Sequence, residues 1–280
     1  MATSSETQTV IDRPGFSFLD TLASPAFRHY RYYGRRQFQD DFEEAAKASQ
    51  ESFSEWFIAT NVNKDTFDRV FSKAEESPFS CWTAYDPVSE YLLVRTISGF
   101  PHEIASSTFS IILAEAVMPT RVALTGIGSA WHSGFMGMKG ADQAWRPHRL
   151  PPGRNLDWPS AVLEVAFSES YAKLQADLRY WARASGGDVK VILTLKIDPR
   201  DYLILIEKWE YEMDGRYRHA QTVTMEQRTN GIEITGAPLV IGFEHMFLRK
   251  PTIPREADIR IRVDALTRLA ESVFEEMHHR

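Results

Sequence analysis

Residues 160 to 198 hold the pattern that most restricts this chain. "SAVLEVAF" (160–167) is an apolar run of strand length. "SESYAKLQADLRYWARA" (168–184) follows with helical spacing, Leu174, Leu178 and Trp181 forming one buried stripe and Ser168 standing as the N-cap. Gly186 and Gly187 stop that helix, and "DVKVILTLKID" (188–198) returns to strand with alternating apolar residues. Strand, helix and strand in this order call for a sheet with helices laid against it.

The flanking sequence extends the same theme. "EYLLVRTI" (90–97) reads as a strand, and Pro101 opens a helix over 101–117 with Ile104, Phe109, Ile112, Leu113 and Val117 on one face. A strand ending in glycines (120–130), an extended piece (138–147), further strands at 202–211, 221–227 and 231–247, and a closing helix over 256–277 complete the expectation. Residues 1 to about 15 read as a disordered lead. From 37 to 76, Phe38, Phe42, Phe53, Trp56, Phe57, Phe67 and Phe71 recur at helical spacing, which predicts a helical N-terminal extension. The division expected is therefore 1–85 for the lead and extension and 86–280 for the main domain. The fold class is α/β (α+β).

Composition excludes several function classes. With 43% hydrophobic and 25% charged residues in 280, the chain is of ordinary globular type. Its longest apolar run, "FSIILAEAVM", is too short to span a bilayer, so no membrane partner is expected, and the polar N-terminus has no secretory apolar segment. Cys81 is the only cysteine, which rules out an intramolecular disulfide and a multi-cysteine zinc site and fits an intracellular location, cytoplasmic or nuclear. A net charge of -6 argues against indiscriminate coating of nucleic acid, leaving any contact to a local basic surface.

Stock catalytic motifs are missing: no glycine-flanked serine nucleophile, no phosphate loop ending in Gly-Lys-Ser/Thr, no His-Glu-x-x-His. "TGIGSAWHSGFMG" has Trp131 where a dinucleotide fingerprint needs its third glycine, and reads as a hairpin or loop. "RHYRYYGRR" (28–36) can track phosphates, or can pack and pair with acids elsewhere; the second reading is favoured. "WRPHRLPPGR" (145–154) places Arg146, Arg149 and Arg154 in a Pro-rich loop. His278 and His279 lie at the end of the last helix and are poor ligand candidates.

Glu164 raises the sharpest question. Strand alternation puts it on one face with Val162 and Ala166, opposite Ala161, Leu163 and Val165. A carboxylate there must be paired, protonated, bound to a cation or open to water. Asp142 lies on the preceding extended piece, and neighbouring strands ~4.7–4.9 Å apart bring two such acids together. An oxygen-only pair suits Mg2+ or Mn2+. Glu103 can add a third oxygen or orient water, or can simply complement the helix dipole, with His102 beside it as a cap-region residue.

"FPHEIASSTF", "GADQAWRPHRLPPGR", "WPSAVLEVAFSESYAKLQADLRYW" and "DVKVILTLKID", taken in order, resemble the PD-(D/E)XK nuclease superfamily, and more closely a restriction-endonuclease-like group abundant in fungi and related to the Uma-type bacterial branch. The resemblance covers roughly residues 90 to 270. It implies a restriction-endonuclease-like core, a central mixed β-sheet flanked by helices. It also implies a Mg2+-dependent endonuclease, hydrolysing DNA phosphodiester bonds, with which a homodimer is compatible. Asp142, Glu164 and Glu103 would be the acids at the metal, and the Val165 carbonyl an extra ligand. The pattern departs at Ala166, where the motif lysine belongs. Lys173 on the following helix can serve in its place, or can form an i,i+4 pair with Asp177 on a solvated face. In the bacterial branch the lysine falls nearer position 177. Arg146, Arg149 and Arg154 would hold the nucleic-acid backbone. The alternative is a catalytically inactive nuclease fold that binds nucleic acid or a protein.

Overall fold

The computed structural model describes residues 17–22, 27–52, 55–96, 100–167 and 171–278. The expected disordered lead over residues 1 to about 15, Ser168 and His279 lie outside them. In chain order the elements begin with a 3-10 turn (Asp20–Leu22), β1 (Arg28–Arg31), α1 (Arg35–Ser52), β2 (Trp56–Thr60) and α2 (Lys64–Val70). A hairpin of β3 (Trp82–Asp86) and β4 (Tyr91–Arg95) leads to α3 (Phe100–Val117) and β5 (Leu124–Gly126). A second hairpin, β6 (Trp131–Gly134) and β7 (Gly137–Gly140), is followed by β8 (Gln143–Pro147), β9 (Ala161–Phe167) and α4 (Tyr171–Ala184). The rest comprises β10 (Val191–Asp198), β11 (Leu203–Tyr211), β12 (Tyr217–Arg228), β13 (Gly231–Thr235), β14 (Leu239–Ile241), α5 (Phe243–Phe247), β15 (Ile259–Ile261) and α6 (Val263–His278).

The strands form two large sheets and a small ribbon. The seven-stranded sheet runs β13-β12-β11-β10-β9-β8-β5, and the six-stranded sheet β1-β2-β4-β3-β7-β6. β9 and β10 are parallel, joined across α4, while β8 and β11 flank them antiparallel. The architecture is mixed α+β, with helices against both sheets. No helix among the described residues is long and apolar enough to cross a membrane.

Strand alternation decides what each face of β9 meets. All seven residues of β9 are buried. Ala161, Leu163, Val165 and Phe167 join the core made with Phe109 and Leu113 of α3 and Leu269 and Val273 of α6. Val162 faces the other way, into a core shared with Trp181 and Tyr180 of α4 and with Trp56 and Leu93 of the six-stranded sheet. Glu164 therefore lies between the two sheets, among aromatic side chains.

The N-terminal region differs from the helical extension that the aromatic spacing predicts. Trp56, Phe57, Ile58 and Ala59 are buried consecutively, as a strand covered on both faces requires, and β2 interrupts the helix between α1 and α2. Asn63 caps α2 by accepting from Thr66 N at 2.9 Å. Phe38, Phe67 and Phe71 do face inward at helical spacing, onto the outer side of this sheet. Burial of each ring stabilises the fold by about 1.5–3 kcal/mol. Because Asp86 pairs with Tyr91 in one hairpin, the boundary drawn between 85 and 86 falls inside a supersecondary unit.

Two further expectations change. The extended piece over 138–147 is two strands in different sheets, with only Ala141 and Asp142 between them. The strand over 231–247 divides into β13, β14 and α5, and the final helix begins at Val263, after β15. The hairpin expected in "TGIGSAWHSGFMG" forms as β6–β7. Gly137 turns it at φ +123°, where an added Cβ would stand 2.0 Å from the Tyr85 carbonyl oxygen, so glycine is required there.

Candidate functional site

Asp142 and Glu164 are brought together by the β8–β9 ladder. Gln143 pairs with Leu163, and Asp142 stands one residue beyond that pair, on the crossing from β7 to β8. Its Oδ2 accepts the Val165 N–H at 2.7 Å, which ties the crossing to β9. The Val165 amide is thus satisfied by Asp142.

The two carboxylates meet different nearest cations, and Lys173 acts on both. Asp142 Oδ1 lies 3.3 Å from His102 Nε2 and 3.8 Å from Arg95 Nη1. His102 Nδ1 lies 3.2 Å from Glu103 Oε1, and Arg95 reaches Glu103 at 3.4 Å and Glu55 at 3.6 Å. Burial opposes a charged His102, but the charge of Asp142 and hydrogen bonds to Asp142 and Glu103 outweigh it and hold the imidazole up at about 9. Burial likewise opposes a charged Asp142, yet His102, then Lys173 and Arg95, hold its carboxyl well below the usual carboxylate range. Asp142 is part-buried, whereas the Glu103 side chain is 55% exposed and marks the wet side of the site.

Glu164 lies on the dry side, only 1% exposed. Its Oε1 accepts the Trp181 indole N–H at 2.6 Å, and its Oε2 accepts from Lys139 Nζ at 3.1 Å. Lys173 Nζ is 4.0 Å from the same oxygen. Asp177 receives both ammoniums, Lys139 at 2.9 Å and Lys173 at 3.0 Å, and the Lys173 Nζ also sits over the Trp56 ring at 4.6 Å. Burial drives the Glu164 carboxyl up, to about 8, against the pull of Lys139 and Lys173 and with the push of Asp177 and Asp142. Burial also opposes charge on Lys139, but Asp177 and Glu164 prevail and raise its pKa. Both shifts are upward: burial outweighs the ammoniums at Glu164, whereas the acids outweigh burial at Lys139.

The sequence leaves Lys173 two readings, a stand-in for the motif lysine or an i,i+4 partner of Asp177 on a solvated face. The i,i+4 pair with Asp177 exists, but both residues are buried rather than on a solvated face, and the same ammonium approaches Glu164. Lys139 was missed altogether. It lies three residues before Asp142, but nothing in the periodicity of "MKGAD" says that β7 belongs to the other sheet and faces β9. Arg95 and Glu55 were missed for the same reason.

The arginines separate. Arg149 is exposed, and Arg146 is half-buried, donating to the Leu156 carbonyl at 2.7 Å. Arg154 is 8% exposed in its side chain, paired with the Asp188 carboxylate and donating to the Asp188 and Pro159 carbonyls at 2.5 and 3.2 Å. It holds the loop to the start of β10 and is not presented to a nucleic-acid backbone. In "RHYRYYGRR", Arg35 pairs with Glu76 at 2.8 Å and stacks on Phe79, which is the packing role expected. His278 contacts its own helix at the Phe274 carbonyl.

The acids here carry oxygen donors of the type that small divalent cations take. Glu55, Glu103, Asp142, Glu164 and Asp177 are hard-oxygen groups that stand among Arg95, Lys139, Lys173 and His102. Among the described residues no group of three or more His, Cys, Asp or Glu side chains is already gathered for an ion.

No family model and no curated protein matches this chain. Among solved structures, the chain is similar to a candidate nuclease belonging to DUF820 from Anabaena variabilis. The two are 13% identical, with 76% of this chain and 97% of that chain covered and a TM-score of 0.39.

Proposed function

We propose that this protein is a restriction-endonuclease-like phosphodiesterase that hydrolyses DNA with Mg2+ or Mn2+. The observation that carries the reading is the meeting of Asp142, Glu164 and lysine ammoniums from separate elements, although the position two residues after Glu164 is alanine. An acid pair can hold a cation, and an adjoining ammonium can offset charge that develops on a phosphate. Asp142 and Glu164 would hold the cation, with the Val165 carbonyl as an additional ligand. Glu103, on the wet side, would orient the attacking water or complete the ligation. When bound, the cation polarises the scissile phosphate and lowers the pKa of the attacking water. Arg146 and Arg149 would steer the DNA backbone without reading its sequence.

The test is nicking of supercoiled plasmid by purified protein with Mg2+ or Mn2+. Wild type should convert the plasmid, and Glu164→Gln and Asp142→Asn should each lose at least 100-fold. Equal background from wild type and both variants would sink the proposal.

One observation favours a second reading, an inactive nuclease fold kept for binding. Every Glu164 oxygen already has a donor in a dry site, and Arg95 stands against Asp142. DNA retention in a gel shift, without nicking and without any response to Mn2+ in calorimetry, would select it.

A further inference from the structure

We infer that Lys139 is the positioning lysine of this site and takes the place left by Ala166, while Lys173 serves mainly as counter-ion to Asp177. The inference rests on the nuclease reading and deepens it. Three geometric relations support it. Lys139 Nζ is 3.1 Å from Glu164 Oε2, against 4.0 Å for Lys173. Lys139 reaches Glu164 from β7, and the same chain crossing carries Asp142 three residues later, so one turn of chain delivers both an acid and an ammonium to β9. Lys173 is held elsewhere, 3.0 Å from Asp177 and over the Trp56 ring.

Asp177 makes the relocation electrostatically tolerable. A second ammonium beside Glu164 would leave the buried group with excess positive charge, and Asp177 sits 2.9 Å from Lys139 to offset it. The acid at position 177 and the lysine at position 139 thus pair α4 with β7. In this arrangement Lys139 orients Glu164 Oε2 while Trp181 holds Oε1.

Two double variants with equal net charge decide the matter: Lys139→Met/Asp177→Asn and Lys173→Met/Asp177→Asn. Each keeps one buried lysine for Glu164, so both should fold, which thermal melting checks. Loss of the nearer ammonium should cut plasmid nicking about 100-fold, and the Lys173 variant should lose far less. Adding Lys139→Arg alone as the conservative change should retain a measurable part of the activity. The second readout is Mn2+ titration by calorimetry. Removing the ammonium closest to the carboxylate removes a like charge, so Lys139→Met/Asp177→Asn should bind Mn2+ about tenfold tighter than its counterpart. Equal affinities, or tighter binding by the Lys173 variant, would overturn the inference. Wild type that binds Mn2+ without nicking would end the nuclease reading and leave the affinity comparison to judge Lys139. Failure of every variant to bind Mn2+ overturns both.

Discussion

Trp181 donates its indole N–H to Glu164 Oε1 at 2.6 Å, from the buried face of α4 onto the middle of β9. The bond fixes which oxygen faces the two ammoniums. Because donor and acceptor are both buried, losing one partner leaves the other unsatisfied. Trp181→Phe keeps an aromatic ring in the core but removes the donor. It should lower the unfolding free energy by about 2 kcal/mol in urea denaturation. An unchanged midpoint would show that the bond adds nothing to stability.

The Lys139–Asp177 pair should reveal itself as non-additive. Lys139→Met leaves Asp177 and Glu164 to share one ammonium in a dry core, which should cost about 3–5 kcal/mol. Asp177→Asn in that background removes the surplus acid and should recover at least about 2 kcal/mol. Simple addition of the two single effects in urea titrations would refute the coupling.

Arg154 and Arg149 should part company. Arg154→Ala breaks a part-buried pair with Asp188 and frees carbonyls at the base of β10, so thermal stability should fall, by roughly 2–4 kcal/mol. Arg149→Ala touches an exposed side chain and should leave stability within about 0.5 kcal/mol, and under the proposed function it should reduce the salt dependence of binding to a DNA probe. Identical melting curves for the two variants would contradict the structural placing of Arg154.

Glu256 governs part of the acid limb of stability. Hydrogen bonds from Arg249 first, then from the Thr252 amide and hydroxyl, hold its carboxyl down at about 2 from an ordinary 4.5. A depressed folded-state pKa means that the stabilisation is complete above about pH 4.5 and drains as the pH falls toward 2. Glu256→Gln should therefore be less stable than wild type at pH 6, and the gap should narrow between pH 4.5 and 2. A gap independent of pH, measured by denaturation across that range, would disprove the assignment.

Local sequence carried a good part of this fold. The order strand, helix, strand over 160 to 198 follows from apolar spacing and from Gly186 and Gly187, and the alternation around Glu164 correctly separates it from Leu163 and Val165. Those features depend on residues a few positions apart. The helical reading of 37 to 76 holds for α1 and α2 and breaks at β2, because Trp56 to Ala59 are apolar at every position, a pattern that spacing alone does not divide between strand and helix.

Asp142 and Glu164 were legible as a pair because neighbouring strands join them. Lys139, Arg95 and Glu55 were not, because they reach the site only when the six-stranded sheet closes over β9. Charge placement in the interior is a property of that closure. The sequence by itself determined that a carboxylate would stand in the middle of a buried strand. Only the tertiary structure decided which cations meet it, since the desolvation that makes those ion pairs obligatory does not exist until the two sheets pack.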